Sequence, residues 1–290
     1  MKAMILAGGL GSRLYPLTTV MGKQLQAVYD KPLIFYPLTA LIAAEIREFC
    51  IISDPLNLKI TKKLLGDGER LGISIQYLEQ PEPRGIAEAY LLAEDFIDSQ
   101  NSVMMLGDNI FSGGNDISSA IGTFTDGASI FSYRVTNPED YAVIKFSSSM
   151  EPLDIVEKPV GPVSNFAVPG AYIYDSNVVE IAKTLRPSNR GELEITDINR
   201  AYLKQRKLTV NHLSRGYVWM DVGTPKRLHE AASYVAMIQQ RQGIKIGCPE
   251  EAALLRGFIS ADQFVELIKS MPIGNYRNYL QAVYEHEILT

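Results

Sequence analysis

The chain has 290 residues, 46% of them hydrophobic and 21% charged, with a formal net charge of −5. That is an ordinary soluble globular composition, and the acid excess argues against a nucleic-acid partner while leaving room for a small phosphorylated ligand, for which only local charge counts. Two distant cysteines, Cys50 and Cys248, and three histidines without ligand spacing give neither a disulfide framework nor a histidine metal site. Neither a signal peptide nor a membrane-length apolar run is present, so the expectation is a cytoplasmic chain with no membrane and no nucleic-acid partner.

In chain order, an apolar strand is predicted over Met1–Ala7, then a helix over Pro32–Ile46 with its proline in the first turn. Strand Phe49–Ser53, helix Asn57–Leu65, strand Ile73–Leu78, helix Gly85–Ile97 and strand Val103–Leu106 follow. This alternation predicts a Rossmann-like α/β fold: a mixed, mostly parallel sheet with helices on both faces. Ligands then belong at the carboxyl ends of the strands, in the loops Gly8–Leu14, Glu79–Gly85 and Gly107–Gly114. Further strands are predicted over Ala128–Val135, Val143–Phe146, Asp154–Val156, Gly170–Tyr174 and Leu208–His212, mixed or antiparallel and covering the ligand. Helices are predicted near Ser176–Leu185 and Ile195–Gln205, then over Pro225–Gln242, with shorter ones from Pro249 to about Glu285. The expected organisation is a catalytic α/β domain over residues 1–224 and a helical segment over 225–290, packed on the core, on a partner subunit, or on both.

The first strand stops at Gly8-Gly9-Leu10-Gly11-Ser12-Arg13-Leu14, with a second cation at Lys23. Glycines admit positive φ and leave no Cβ between the backbone and a bound anion. Arg13 offers a planar fork to phosphate oxygens and Lys23 a point charge. The same residues also fit a plain glycine-rich turn. Two familiar phosphate motifs fail here. Gly9-Leu10-Gly11-Ser12-Arg13-Leu14 lacks the third glycine of the dinucleotide fingerprint, and Gly22-Lys23 is followed by Gln24 rather than Ser or Thr.

Two acids end apolar strands, Asp108 after Val103–Gly107 and Asp221 after Tyr217–Met220. Carboxylates so placed can hold Mg²⁺ that also touches substrate phosphates, or can simply cap a turn or helix. Thr224, just before Pro225, could take the capping post and leave Asp221 free. Glu157-Lys158 at a strand end offers a carboxylate for hydroxyls and an ammonium for phosphate, or a solvated pair on opposite faces. Arg190, leading three acids at a helix start, could reach an anion. Gln80-Pro81 with Gly85 supplies an amide and an uncovered backbone suited to a base edge, or is a plain loop.

Taken together, Ile5–Pro16, Lys23-Gln24-Leu25, Tyr29–Pro32, Leu65–Gly68, Leu106–Phe111, Glu157-Lys158-Pro159, Ser164–Val168, Arg190–Asn199, Arg241-Gln242-Gly243 and Cys248–Glu251 resemble the bacterial glucose-1-phosphate thymidylyltransferases over essentially the whole chain. The resemblance implies the nucleotide-diphospho-sugar transferase fold and a Mg²⁺-dependent transfer from dTTP to glucose 1-phosphate. The products would be dTDP-glucose and pyrophosphate, in the first step of dTDP-deoxysugar (for example dTDP-rhamnose) biosynthesis. It implies nucleotide binding by Leu6, Gly8, Gly9, Ser12, Arg13, Lys23, Gln24, Gln80, Pro81, Gly85 and Asp108. Sugar-phosphate binding falls to Tyr141, Ala142, Glu157, Lys158, Val168 and Arg190, and the metal to Asp108 and Asp221. The chemistry would rest on Arg13, Lys23, Asp108, Lys158 and Asp221. A homotetramer, a dimer of dimers, with a second nucleotide site near a subunit interface is implied as well.

The chain departs from the family pattern at several positions, one of them within the implied sugar-phosphate set. Ala142 stands where the family has glycine, Arg84 where it has a small or acidic residue, and Glu88 where it has glutamine. Ser112 and Leu255 alter the implied regulatory region. Rival expectations are the same chemistry on another hexose 1-phosphate or with UTP, and a non-catalytic sugar-nucleotide sensor.

Overall fold

In a computed structural model, which describes residues 1–287, the apolar first strand β1 (Lys2–Leu6) lies inside the sheet and is buried on both faces. Its residues alternate between two cores. Ala3 and Ile5 join one apolar cluster, Met4 and Leu6 the other. Two short strands, β2 (Ala27–Val28) and β3 (Lys31–Pro32), form a small hairpin. Pro32 therefore belongs to this hairpin. Helix α1 (Phe35–Ala43) begins later than expected, and Pro37 is the proline in its first turn.

Then come β4 (Glu48–Ser53) and α2 (Pro55–Leu65), which starts two residues earlier than predicted because the Asp54 side chain accepts from Asn57 N–H and Pro55 takes the first helical position. After β5 (Ser74–Glu79), the single helix expected over Gly85–Ile97 is instead two short pieces, α3 (Glu88–Leu92) and α4 (Glu94–Ile97). Strand β6 (Ser102–Leu106) completes the parallel half, in which β1 pairs with both β4 and β6 and β4 pairs with β5.

The expected ligand loop over Gly107–Gly114 is largely a strand, β7 (Asn109–Ser112), followed by α5 (Asp116–Thr123). The second half contributes β8 (Ala128–Arg134), β9 (Ala142–Phe146), β10 (Pro152–Glu157), β11 (Phe166–Ala167) and β12 (Ala171–Tyr174). Helices α6 (Val178–Thr184) and α7 (Ile195–Lys204) precede β13 (Leu208–His212) and β14 (Val218–Asp221). Among the described residues one ten-stranded sheet runs β10-β9-β11-β8-β12-β6-β1-β4-β5, with β13 paired to β8. Strand β12 is antiparallel to both β6 and β8, so it joins the parallel half to the antiparallel strands beyond it.

Helix α8 (Pro225–Gln242) packs Ala231 and Val235 against Ile110 of β7 and Val222. Helices α9 (Pro249–Leu255), α10 (Ala261–Ser270) and α11 (Asn275–Glu287) bury Ala253, Phe264, Ile268 and Leu280 in the same cluster as α1 and one face of β1. The C-terminal helices thus pack on the sheet's own core; the last residues of the expected 225–290 segment lie outside the described residues. No helix among the described residues is long and apolar enough to cross a membrane.

Candidate active site

The site gathers where β1, β6 and a two-stranded ribbon end together. Strands β7 and β14 pair antiparallel with Asp221 opposite Asn109, which carries Asp221 to the neighbourhood of Asp108 from 113 residues away in the chain. The Asp108 carbonyl accepts from Val222 N–H at 2.9 Å. The Asp108 carboxylate is buried, takes the Lys23 ammonium on one oxygen, and accepts from Asn109 Nδ2 at 2.8 Å on the other. Burial opposes ionisation of Asp108, but Lys23 and the Asn109 amide outweigh it and hold the carboxyl below the usual range. Asp221 goes the other way: burial and the Asp108 charge raise it, against the pull of Arg227, Lys23 and Arg13. Thr224 does take the capping post, accepting from Arg227 N–H at 3.3 Å, so Asp221 is not spent as a helix cap.

The glycine loop turns through Gly9 at φ 102° and Gly11 at φ 59°, into a short 3₁₀ turn over Ser12–Leu14. Gly11 needs its bare Cα for a second reason: a Cβ there would sit 2.7 Å from Thr18 Cγ2. Leu14 is buried and anchors the turn, leaving Gly9, Ser12 and Arg13 exposed. The Arg13 guanidinium reaches across to the second acid, since a Cβ on Gly223 would lie 2.7 Å from Arg13 Nη2 and 3.0 Å from Asp221 Oδ1. Loop, paired acids and both cations are therefore one constellation.

The residues assigned to the nucleoside also meet. Gln24 is buried and donates to the Gly8 carbonyl at 3.0 Å. Gln80 is buried, donates to Glu88 at 2.8 Å, and its Oε1 lies 2.9 Å from where a Gly8 Cβ would be. Pro81 is exposed beside it, and Leu6 lines the strand tip. Gly85, at φ 110°, is pressed on the Leu193 backbone, so its lack of a side chain already has a packing reason. Arg84 is exposed and forks onto Glu82 at 3.0 and 3.1 Å.

Of the residues expected to hold the sugar phosphate, Ala142 opens β9 and Glu157 closes β10, and the others lie outside these two strands. Ala142 pairs with Glu157, and its carbonyl accepts from Val168 N–H at 2.8 Å. Glu157 accepts from Thr196 Oγ1 at 2.6 Å and meets Arg190 at 3.4 Å. Arg190 is held by Glu192 at 2.8 Å and Glu194 at 3.7 Å as well, so the cation expected to meet an anion rests among three carboxylates. Lys158 lies outside β10, at φ 39° and exposed, so strand alternation does not set its direction; its N–H donates to the Tyr141 carbonyl at 3.1 Å.

Sequence reasoning passed over Asn109, Trp219, Asp140 and Arg227. Asn109 Oδ1 accepts from Trp219 Nε1 at 2.6 Å and from Gly170 N–H at 3.1 Å, fastening the ribbon to the sheet. The usable signal was an amide directly after one acid and the chain's single tryptophan two residues before the other. Removing a buried acceptor that serves two donors strands both. Asn109→Ala is expected to cost about 2–3 kcal/mol, measured by urea denaturation. Arg227 donates to Asp221 at 2.9 Å and to Asp140 at 2.5 Å. A cleft of about 880 Å³ opens beside these groups, lined by Arg13, Tyr141, Trp219, Asp221 and Arg227 among others.

A family model described as nucleotidyl transferase matches residues 2–237. The glucose-1-phosphate thymidylyltransferase of Xanthomonas campestris pv. campestris (strain B100) is 46% identical over 284 residues, covering 97% of this chain and 96% of that one. The protein of the same name from Mycobacterium tuberculosis (strain CDC 1551 / Oshkosh) is 44% identical over 287 residues, covering 98% and 99%. A Bacillus anthracis chain crystallised with sucrose superposes with a TM-score of 0.76 at 36% identity, over 96% of this chain and 99% of that one. UDP-glucose pyrophosphorylase complexed with UDP-glucose, at 22% identity and a TM-score of 0.72, covers 81% of this chain and 98% of that one and shares the fold. This chain belongs to the nucleotidyl transferase family, in the group of the glucose-1-phosphate thymidylyltransferases.

Proposed function

We propose that the chain transfers a thymidylyl group from dTTP to glucose 1-phosphate, with Mg²⁺ as cofactor. The observation that carries this is the meeting of Asp108, Asp221, Lys23 and Arg13 at the tip of the first strand. The relatives' names supply the two substrates. In the step, an oxygen of the sugar phosphate bonds to the α-phosphorus of dTTP, the bond from that phosphorus to the bridging oxygen breaks, and pyrophosphate leaves with the electron pair. Positioning and charge neutralisation are the protein's whole contribution to such a transfer.

The two acids suit a hard cation. Both are oxygen donors, and the charge of Asp108 is felt strongly enough at Asp221 to raise it, a repulsion that a dication would relieve. Among the described residues no group of three or more His, Cys, Asp or Glu could form an all-protein metal cage. A pair of carboxylates completed by water and substrate phosphates is the habit of Mg²⁺. Bound there, the ion would act as a Lewis acid on the phosphate oxygens. The exposed amides of the glycine loop and Arg13 face the β- and γ-phosphates. Lys23 exchanges Asp108 for the departing pyrophosphate. Arg190 and Lys158 hold the sugar phosphate, Glu157 and the Ala142–Val168 floor the sugar.

A second reading, another hexose 1-phosphate, is favoured by one observation: Ala142 sits in a regular strand between Glu157 and Val168, so its methyl is not needed for the backbone and only takes up room. Pyrophosphate release from dTTP with a panel of hexose 1-phosphates is the test. Ala142→Gly is expected to lower the KM for glucose 1-phosphate about tenfold with kcat little changed, the lower end of what one carbon in a binding pocket is worth. Turnover of none of the panel would reject nucleotidyl transfer. Faster turnover of an amino- or deoxyhexose 1-phosphate than of glucose 1-phosphate would favour the second reading.

A further inference from the structure

Each acid of the pair is met by a cation, and only one of these cations has a role so far. Lys23 sits on Asp108. Arg227, from the first turn of α8, sits on Asp221. Its anchorage is unusual for a residue with a side chain 18% exposed. Nη1 donates to Asp221 Oδ2 at 2.9 Å, Nη2 to Asp140 Oδ2 at 2.5 Å, and the guanidinium carbon lies 5.3 Å from the Tyr141 ring centroid. The fork is therefore divided between two acids rather than set with both teeth on one, which is the stronger arrangement. Asp140 and Tyr141 would keep Arg227 in the cleft even if Asp221 were withdrawn from it.

Resting on the reading of Asp108 and Asp221 as the metal-binding pair, we propose that Arg227 is a positioning residue: a resident counter-charge that holds the Asp221 carboxylate in place and competes with the divalent cation for it. Before the metal binds, the Asp221 carboxylate has the Arg227 guanidinium on Oδ2 at 2.9 Å as its direct counter-charge. A dication taking Asp221 displaces one N–H of Arg227, which stays on Asp140 and on the Tyr141 ring. Tyr141 in turn packs on Trp219 at 5.0 Å between ring centroids and immediately precedes Ala142. The consequence is a lowered intrinsic metal affinity, since any cation must first win Asp221 from its present partner.

The test is a Mn²⁺ titration of the full-length chain, without nucleotide and at mildly alkaline pH, read from the electron paramagnetic resonance signal of free Mn²⁺. Arg227→Gln removes the competing charge and is expected to bind Mn²⁺ about tenfold tighter than wild type. Arg227→Lys keeps the charge and is expected to stay within about threefold of wild type. Asp221→Asn is expected to lose most of the binding. Unchanged or weaker Mn²⁺ binding by Arg227→Gln overturns the proposal and leaves Arg227 a fastening between α8 and the Asp140 turn. Wild-type Mn²⁺ binding by Asp221→Asn instead overturns the metal-pair reading beneath it. Should Arg227→Gln fail to fold, wild-type chain labelled with ¹⁵N-arginine and titrated with Mg²⁺ decides. The side-chain signal that disappears in Arg227→Lys must then move; a signal that stays fixed through saturation overturns the proposal.

Discussion

Asp108→Asn is expected to lower turnover about a thousandfold, the scale on which a metal-held or oxyanion-type charge acts in a transition state. Its cost in stability is expected to be only about 1 kcal/mol, because gains and losses nearly offset. Asparagine has the same shape and keeps an oxygen for Asn109 Nδ2. The loss is the carboxylate partner of Lys23, whose side chain is 19% exposed and can turn to water. The gain is at Asp221, where one of the two influences that raise its carboxyl disappears. A buried residue whose removal barely alters the melting curve but abolishes pyrophosphate release is doing chemistry, not packing. Turnover within tenfold of wild type would take Asp108 out of the site. A melting temperature many degrees lower would make it a folding residue first.

The parts of the site legible in the sequence are those that use local backbone chemistry. Positive φ at Gly9 and Gly11, a buried strand before them and cations after them all lie within one short run. The parallel half of the sheet was equally plain, because each strand is followed by its own crossover helix. What failed was decided by distant partners. Strand β7 follows the Gly107-Asp108 turn, which marks an end to β6 without saying that another strand comes next; β7 exists because β14, more than 100 residues later, pairs with it. Lys31-Pro32 reads as a helix start until the Lys31 ammonium is seen donating to the carbonyl of Ile246 at 2.9 Å. The break between α3 and α4 falls at Ala93, the best helix former, so propensity could not have placed it; there the fully buried Ala93 takes φ −97° and ψ 14°. Arg190 stands out in the sequence for its charge, but of the three glutamates around it one comes from β10, more than 30 residues earlier, and two from its own loop.

Gly85→Ala is expected to cost about 3 kcal/mol or more of stability, with the KM for dTTP and the KM for the sugar phosphate rising together. At φ 110° any side chain is strained, and here a Cβ would lie 2.3 Å from the Leu193 carbonyl oxygen and 2.5 Å from its nitrogen. Neither atom can swing aside as a flexible side chain would. Leu193 N–H donates to the Arg84 carbonyl at 2.7 Å, and the Leu193 carbonyl accepts from Ala87 N–H at 3.1 Å, so the contact is a clasp closed on both sides of Gly85. The segment it would push away also carries Arg190, and is tied back on itself by Gly191 N–H to Ser188 O at 2.8 Å and by Ser188 Oγ to Glu194 at 2.8 Å. One added methyl therefore parts the loop beside Gln80 from the strap that carries Arg190. Gly191→Ala separates strain from collision: it too has positive φ, 77°, but a Cβ there meets nothing within 4 Å, and the expected cost is about 1 kcal/mol. Thermal melts of the two variants, with both KM values, make the comparison. Equal melting temperatures would mean the Leu193 strap yields without penalty. A rise in the dTTP KM alone would mean Gly85 serves the nucleotide directly and the clasp does not couple the two halves of the site.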